Sequence, residues 1–207
     1  MEKKEEPKME LAAPLAGEAV SISQVNDPTF SDEILGKGLA IRPTGNEVFA
    51  PCDGKIEMMF DTGHAVSMTS NDGIEILIHV GLETVNLKGK YYQVHAANGD
   101  QVKKGQKLIS FDREAIAAEG YDVITPIVIC NSDQFTAIEP HTGTVSVGDV
   151  VLTLKNKNAE IWRHYNMIFG NGRPVFSGIA IGKAYVYKKQ LAPCLFPVVI
   201  PLWNSRN

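Results

Sequence analysis

The chain has 207 residues, 44% hydrophobic and 21% charged, enough for one domain with a core plus tails. A formal net charge of −4 excludes a basic field for nucleic acid. The longest apolar run, residues 191–203, is interrupted by Pro193, Pro197 and Pro201 and is too short to span a bilayer, so no membrane insertion is expected.

In chain order, residues 1–10 read as a solvated charged tail, without the apolar stretch that a signal peptide needs. Cys52, Cys130 and Cys194 are odd in number and far apart. That spacing fits a reducing compartment, and a cytoplasmic location is expected. From about Glu10 to Lys155, short β-branched or apolar runs alternate with glycine, asparagine, aspartate and proline turns. Examples are 38–43, 74–80, 107–111, 123–129 and 150–154. Strands this short and frequent predict an all-β sandwich or barrel. One short helix is predicted at Arg113 to Glu119, with Asp112 as its cap. Ala13-Pro-Leu-Ala-Gly17 and Ala50-Pro-Cys-Asp-Gly54 echo each other, which hints at a duplicated turn-strand unit. Beyond Lys155 the character changes. Residues 156–176 read as a linker and 177–190 as an isolated strand-like stretch, while 191–207 show no defensible period.

The segment from Gly63 to Gly81 carries two histidines on either side of Ser70-Asn71-Asp72-Gly73, a hairpin signal. A loop of Asn71 and Asp72, or of Ser70 to Gly73, sets His64 directly opposite His79. A loop of Asp72 and Gly73 makes them diagonal neighbours on one face. Only an odd-length loop sends them to opposite faces, because side chains alternate along a strand. The same arithmetic pairs Val66 with Leu77 on the histidine face and turns Ile74, Ile76, Ile78 and Val80 toward the core. One neutral imidazole can attack phosphorus to give a phosphoramidate while the other steadies the oxygens, with Thr62 as a nearby donor. No P-loop or kinase glycine loop is present, so a nucleotide is not the expected donor. Two other readings stay open. The histidines are an ordinary surface pair, or they are half of a zinc tetrahedron on a hydrolase-like barrel. His95, His141 and His164 read as structural.

The chain resembles the glucose-type enzyme IIA family of the phosphoenolpyruvate-dependent sugar phosphotransferase system. The motifs are Ala13-Pro-Leu-Ala-Gly-Glu18, residues 38–46, Phe49-Ala-Pro-Cys-Asp-Gly54, Gly63-His-Ala65, Ile78-His-Val-Gly81, residues 84–89 and Thr125-Pro-Ile-Val-Ile129. The resemblance covers residues 11–155. It implies a compact antiparallel β-sandwich of the duplicated-hybrid type. It implies that His79 accepts a phosphoryl group from HPr and passes it to the IIB domain of a sugar permease, with His64 needed for onward transfer and Thr62 beside it. Phe30, Leu35, Phe60 and Leu77 match the family's apolar docking ring. Glu83 stands where aspartate is common, Gly63 where asparagine is common, and Leu77 where phenylalanine is common. No cofactor is required, although the family can hold zinc between His64 and His79 when a partner carboxylate completes the site. An alternative reading is a regulatory binding module whose partners, regulated transporters or metabolic enzymes, depend on its phosphorylation state. Residues 177–185 resemble the opening of enzyme I, but its swivelling phosphohistidine is absent and no enzyme I activity is expected.

Overall fold

Glycines with left-handed φ and short β-branched runs cut the chain into many brief strands. The computed structural model describes residues 8–157. Within them lie β1 (Lys8–Ala12), β2 (Gly17–Ser21), a helical turn α1 (Pro28–Ser31), β3 (Lys37–Pro43), β4 (Glu47–Phe49), β5 (Gly54–Met59), β6 (Ala65–Ser70) and β7 (Glu75–His79). There follow β8 (Tyr92–Val94), β9 (Gln101–Val102), β10 (Lys107–Phe111), α2 (Arg113–Ala118), β11 (Thr125–Ile129), β12 (Phe135–Pro140), β13 (Gly143–Val145) and β14 (Val150–Asn156). The predicted segments 177–190 and 191–207, most of the 156–176 linker, residues 1–7 and His164 lie outside the described residues.

All strand pairings among the described residues are antiparallel. One eight-stranded sheet runs β13-β2-β3-β11-β7-β6-β5-β9, and two three-stranded sheets run β1-β14-β12 and β4-β10-β8. Alternating residues of the large sheet, among them Ile41, Ile56, Met68, Ile76, Ile78 and Ile127, bury against Leu11, Leu152, Val48 and Ile109 of the small sheets. This is a sandwich, as expected from the strand pattern. The predicted helix forms as α2, and the Asp112 carboxylate caps it by accepting from the Ala115 N–H at 2.9 Å. The sequence reading passed over α1, although Asp27 caps it and Pro28 opens it.

The echo of Ala-Pro-x-x-Gly is a true structural repeat. The Ala12 N–H donates to the Pro51 carbonyl, and the Phe49 N–H donates to the Pro14 carbonyl. Ala13 exchanges bonds with Asp149 and Gly148 as Ala50 does with Gln106 and Gly105. Gly17 starts β2 opposite Val145, and Gly54 starts β5 opposite Val102. Each unit closes its turn with the same backbone bonds, so the sandwich is two interlocked copies of one motif.

A second apolar cluster sits on the outer face of the large sheet. Val20, Ala40 and Val128 are covered there by Ile22, Val25 and Phe30 from the β2–β3 connection, with Leu82 and Ile124 beside them. Leu77 packs at its margin, which brings this cluster to the edge of the histidine hairpin.

Candidate functional site

The β6–β7 hairpin turns through Asn71, Asp72 and Gly73. The Gly73 N–H donates to the Ser70 carbonyl at 2.9 Å, and the Ser70 N–H donates to the Ile74 carbonyl at 2.9 Å. Gly73 takes φ +82, so the loop has odd length, with glycine in the left-handed position. Asn131 braces it, donating to the Gly73 carbonyl and accepting from the Glu75 N–H. The register is therefore Ala65 opposite His79, Val66 opposite Ile78 and Ser67 opposite Leu77.

This corrects two expectations. Val66 does not share the histidine face. It faces Ile78, is 0% exposed and belongs to the main core. The odd loop also fails to separate the histidines, because His64 lies outside the regular strand. Gly63 at φ +66 bends the chain just before β6, so strand alternation does not bind the His64 side chain. The two rings meet edge to face, with centroids 4.8 Å apart and planes at 80°.

Each ring has a fixed partner. The His79 Nδ1–H donates to the Gly81 carbonyl at 2.7 Å, which leaves Nε2 with the free lone pair of a neutral ring. His64 Nδ1 pairs with the Thr62 hydroxyl at 2.5 Å. Phe60 packs on His64 at 5.4 Å, and Phe30 packs on His79 at 5.3 Å. His64 is only 4% exposed. Burial, then the neighbouring His79, pulls its pKa down to about 4. Burial also lowers His79, opposed by the Gly81 carbonyl and by the charge of Asp27. Both rings are therefore neutral at pH 7.

The remaining expected residues take different places. Leu35 is exposed, Phe60 and Leu77 are half-buried, and Glu83 is exposed at φ +56. Phe30 is buried and floors the site. The sequence reading missed several exposed apolar residues on the segments that flank the histidines. Ile34, next to Leu35, is 69% exposed, Val85 lies in the turn after Glu83, and Val94 lies on β8 above Gly63. It also missed Asp27, Gly81, Thr84 and Tyr92. Gly81 had a legible signal, since a glycine two residues past His79 supplies a left-handed turn (φ +80).

His95 bonds Ser110 and His141 bonds Thr153, each through Nε2 at 2.8 Å, on strand pairs that correspond under the repeat. Among the described residues no group of three or more His, Cys, Asp and Glu side chains is placed to hold a metal ion. A zinc ion on His64 and His79 would take its other ligands from outside the described residues, and a hydrolytic zinc needs three protein ligands. No helix among the described residues is long and apolar enough to cross a membrane.

Comparison with known proteins gives concordant matches. The family model described as phosphoenolpyruvate-dependent sugar phosphotransferase system, EIIA 1, matches residues 9–135. The glucose-specific EIIA component of Haemophilus influenzae is 43% identical over 148 residues, 71% of this chain and 89% of that protein. The β-glucoside-specific EIIBCA component of Dickeya chrysanthemi is 48% identical over 130 residues, 63% of this chain. The chain spans only 21% of that relative's length. Glucose permease IIA from Mycoplasma capricolum superposes with a TM-score of 0.69 at 33% identity, covering 72% of this chain and 97% of that one.

Proposed function

The chain belongs to the EIIA 1 family of the phosphoenolpyruvate-dependent sugar phosphotransferase system, and on that premise we propose that it is a phosphohistidine carrier between phospho-HPr and the IIB domain of a sugar permease. The observation that carries this reading is the His79 Nδ1–H bond to the Gly81 carbonyl, which aims an unprotonated Nε2 away from its own backbone beside a second ring.

The transfer runs in line. The Nε2 lone pair of His79 forms a bond to phosphorus as the P–N bond to the donor's imidazole breaks, and the donor ring leaves with that electron pair. Positive charge grows on the His79 ring as the bond forms. The Gly81 carbonyl, already accepting from Nδ1–H, stabilises that charge without any rearrangement. With the Thr62 hydroxyl donating to His64 Nδ1, the His64 Nε2–H is free to donate to a phosphoryl oxygen. The reverse sequence releases the group to the next carrier. Positioning and hydrogen-bond donors are most of what phosphoryl transfer asks of a protein.

The test is incubation of the chain with phosphoenolpyruvate, enzyme I and HPr. An acid-labile label is expected, absent in His79→Gln. His64→Gln is expected to accept label and pass it on poorly. Label that persists in His79→Gln rejects the assignment.

The exposed Ile34, Leu35, Val85 and Val94 favour a second reading that does not exclude the first. An apolar rim binds regulated transporters or metabolic enzymes when His79 is free, and a phosphoryl charge at its centre opposes that binding. Equal capture of such a partner by both forms would defeat the switch. Zinc held between His64, His79 and a partner carboxylate belongs to this reading too, and it predicts zinc-dependent affinity for that partner.

A further inference from the structure

Val80 lies between His79 and Gly81, and its backbone is bonded on both sides. Its N–H donates to the His64 carbonyl at 2.7 Å. Its own carbonyl accepts the Thr84 hydroxyl at 2.8 Å and the Tyr92 hydroxyl at 2.9 Å. Both lone pairs of that oxygen are thereby occupied. Thr84 is fully buried and local, reaching back from the turn that follows Gly81. Tyr92 arrives from β8, in a different sheet.

The base of the Tyr92 side chain covers Gly63. A Cβ on Gly63 would come within 3.0 Å of Tyr92 Cβ and 3.2 Å of Val94 Cγ1. One side chain therefore touches the residue before His64 and, through its hydroxyl, the residue after His79. Its ring is itself held, stacked on Phe111 at 6.5 Å and 24°. Burial raises the Tyr92 phenol to about 12, so the hydroxyl stays protonated and remains a donor.

We propose that Tyr92 is a positioning residue for the histidine pair, a strut whose hydroxyl holds the Val80 carbonyl while its ring backs Gly63, setting the separation of His64 and His79. The inference rests on the phosphocarrier reading. Tyr92 acts through two backbone segments, because each histidine is pinned by its backbone neighbours. Loosening Val80 loosens His79 on one side and the carbonyl of His64 on the other. A small misplacement of either ring matters, because in-line transfer depends on orientation.

The test uses the full chain with Tyr92→Phe, which keeps the ring and its stacking and removes only the hydroxyl. Thr84→Ser is the control that keeps a hydroxyl on the Val80 carbonyl. Two quantities are read: the pH titration of the histidine ring nitrogens by NMR on unphosphorylated protein, and the rate of phosphoryl transfer to a purified IIB domain. In Tyr92→Phe the His64 ring should titrate at higher pH than in the parent, as water and distance reach the pair, and transfer should slow by about tenfold. Thr84→Ser should leave both within about twofold of the parent. Adding Tyr92→Phe to Thr84→Val should slow transfer more than it does in the parent, because the Val80 carbonyl then loses its last hydroxyl. Superimposable ring titrations for Tyr92→Phe and parent overturn the proposal. A chain that takes no label from HPr refutes the carrier reading instead, and the ring titrations still decide for or against Tyr92.

Discussion

The two copies of the repeat share a scaffold and differ in one connection. Laid on each other by Gly17 on Gly54 and Pro43 on Ser70, they place Lys37 on His64 and Val128 on His79. In the first copy the chain between β2 and β3 runs from Ile22 to Gly36 and folds α1 over the sheet, burying Val128. In the second, the chain between β5 and β6 runs only from Phe60 to His64. It is too short to cover the sheet, so the equivalent face stays open. The cover of the first copy then reaches sideways and lays Phe30 on His79. The same hydrogen-bonded frame thus gives a closed apolar face in one half and an open histidine site in the other, and loop length decides which.

The shared frame is broken most severely at its glycines. A Cβ on Gly17 would lie 2.0 Å from the Arg42 carbonyl oxygen, and one on Gly54 would lie 2.3 Å from the Thr69 carbonyl oxygen. Both obstacles are backbone, which cannot swing away. Gly17→Ala and Gly54→Ala should each cost on the order of 3–4 kcal/mol in urea unfolding. Similar losses in both copies confirm equivalence, and a loss confined to one breaks it. The cover comes next. Phe30→Ala should cost about 3 kcal/mol and let water onto His79, moving its titration up toward the ordinary imidazole value. Phe30→Ala with an unchanged His79 titration would mean that the first copy's cover plays no part in the second copy's site.

Acid should separate the halves next. His64 sits near 4 when folded, against an ordinary 6.5. Below pH 6.5 the unfolded chain therefore binds the proton more readily than the folded one. Stability is fully present above pH 6.5, falls as pH drops toward 4 and levels off below that, by up to about 3 kcal/mol in all. The first copy has Lys37, not an imidazole, in this position. Urea midpoints of parent and His64→Gln across pH 4–7 give the measurement, and identical slopes would remove the buried imidazole as the cause.

Much of the frame was legible because its signals are local. Strand runs, the Asp112 cap and the repeated Ala-Pro-x-x-Gly each depend on a few adjacent residues. The meeting of His64 and His79 was also legible, but through a mistaken register. A three-residue loop with Gly73 left-handed is as compatible with Asn-Asp-Gly as a two-residue turn is, and the shift of one moved Val66 into the core. The rings still meet because Gly63 takes His64 out of the alternation, which a strand pattern cannot encode. The Tyr92 bond to Val80 joins two sheets, and no local spacing announces it. Asp27 was visible only as a polar residue before a proline, although it caps α1 and bears on His79.

Asp27 carries the smallest predicted effect and the sharpest comparison, because it couples the cover of one copy to the chemistry of the other. Its carboxylate accepts from the Thr29 N–H at 2.8 Å, and its negative charge favours the protonated form of the His79 ring. Asparagine keeps the cap acceptor and removes the charge. Asp27→Asn should therefore leave stability within about 0.5 kcal/mol of the parent, while the His79 pKa moves further down. The same charge supports the ring as it becomes cationic during attack on phosphorus, so acceptance of label from phospho-HPr should slow as well. An NMR titration of His79 that does not move in Asp27→Asn would show that the first copy supplies only a packing surface, with Phe30 as its whole contribution to the open site.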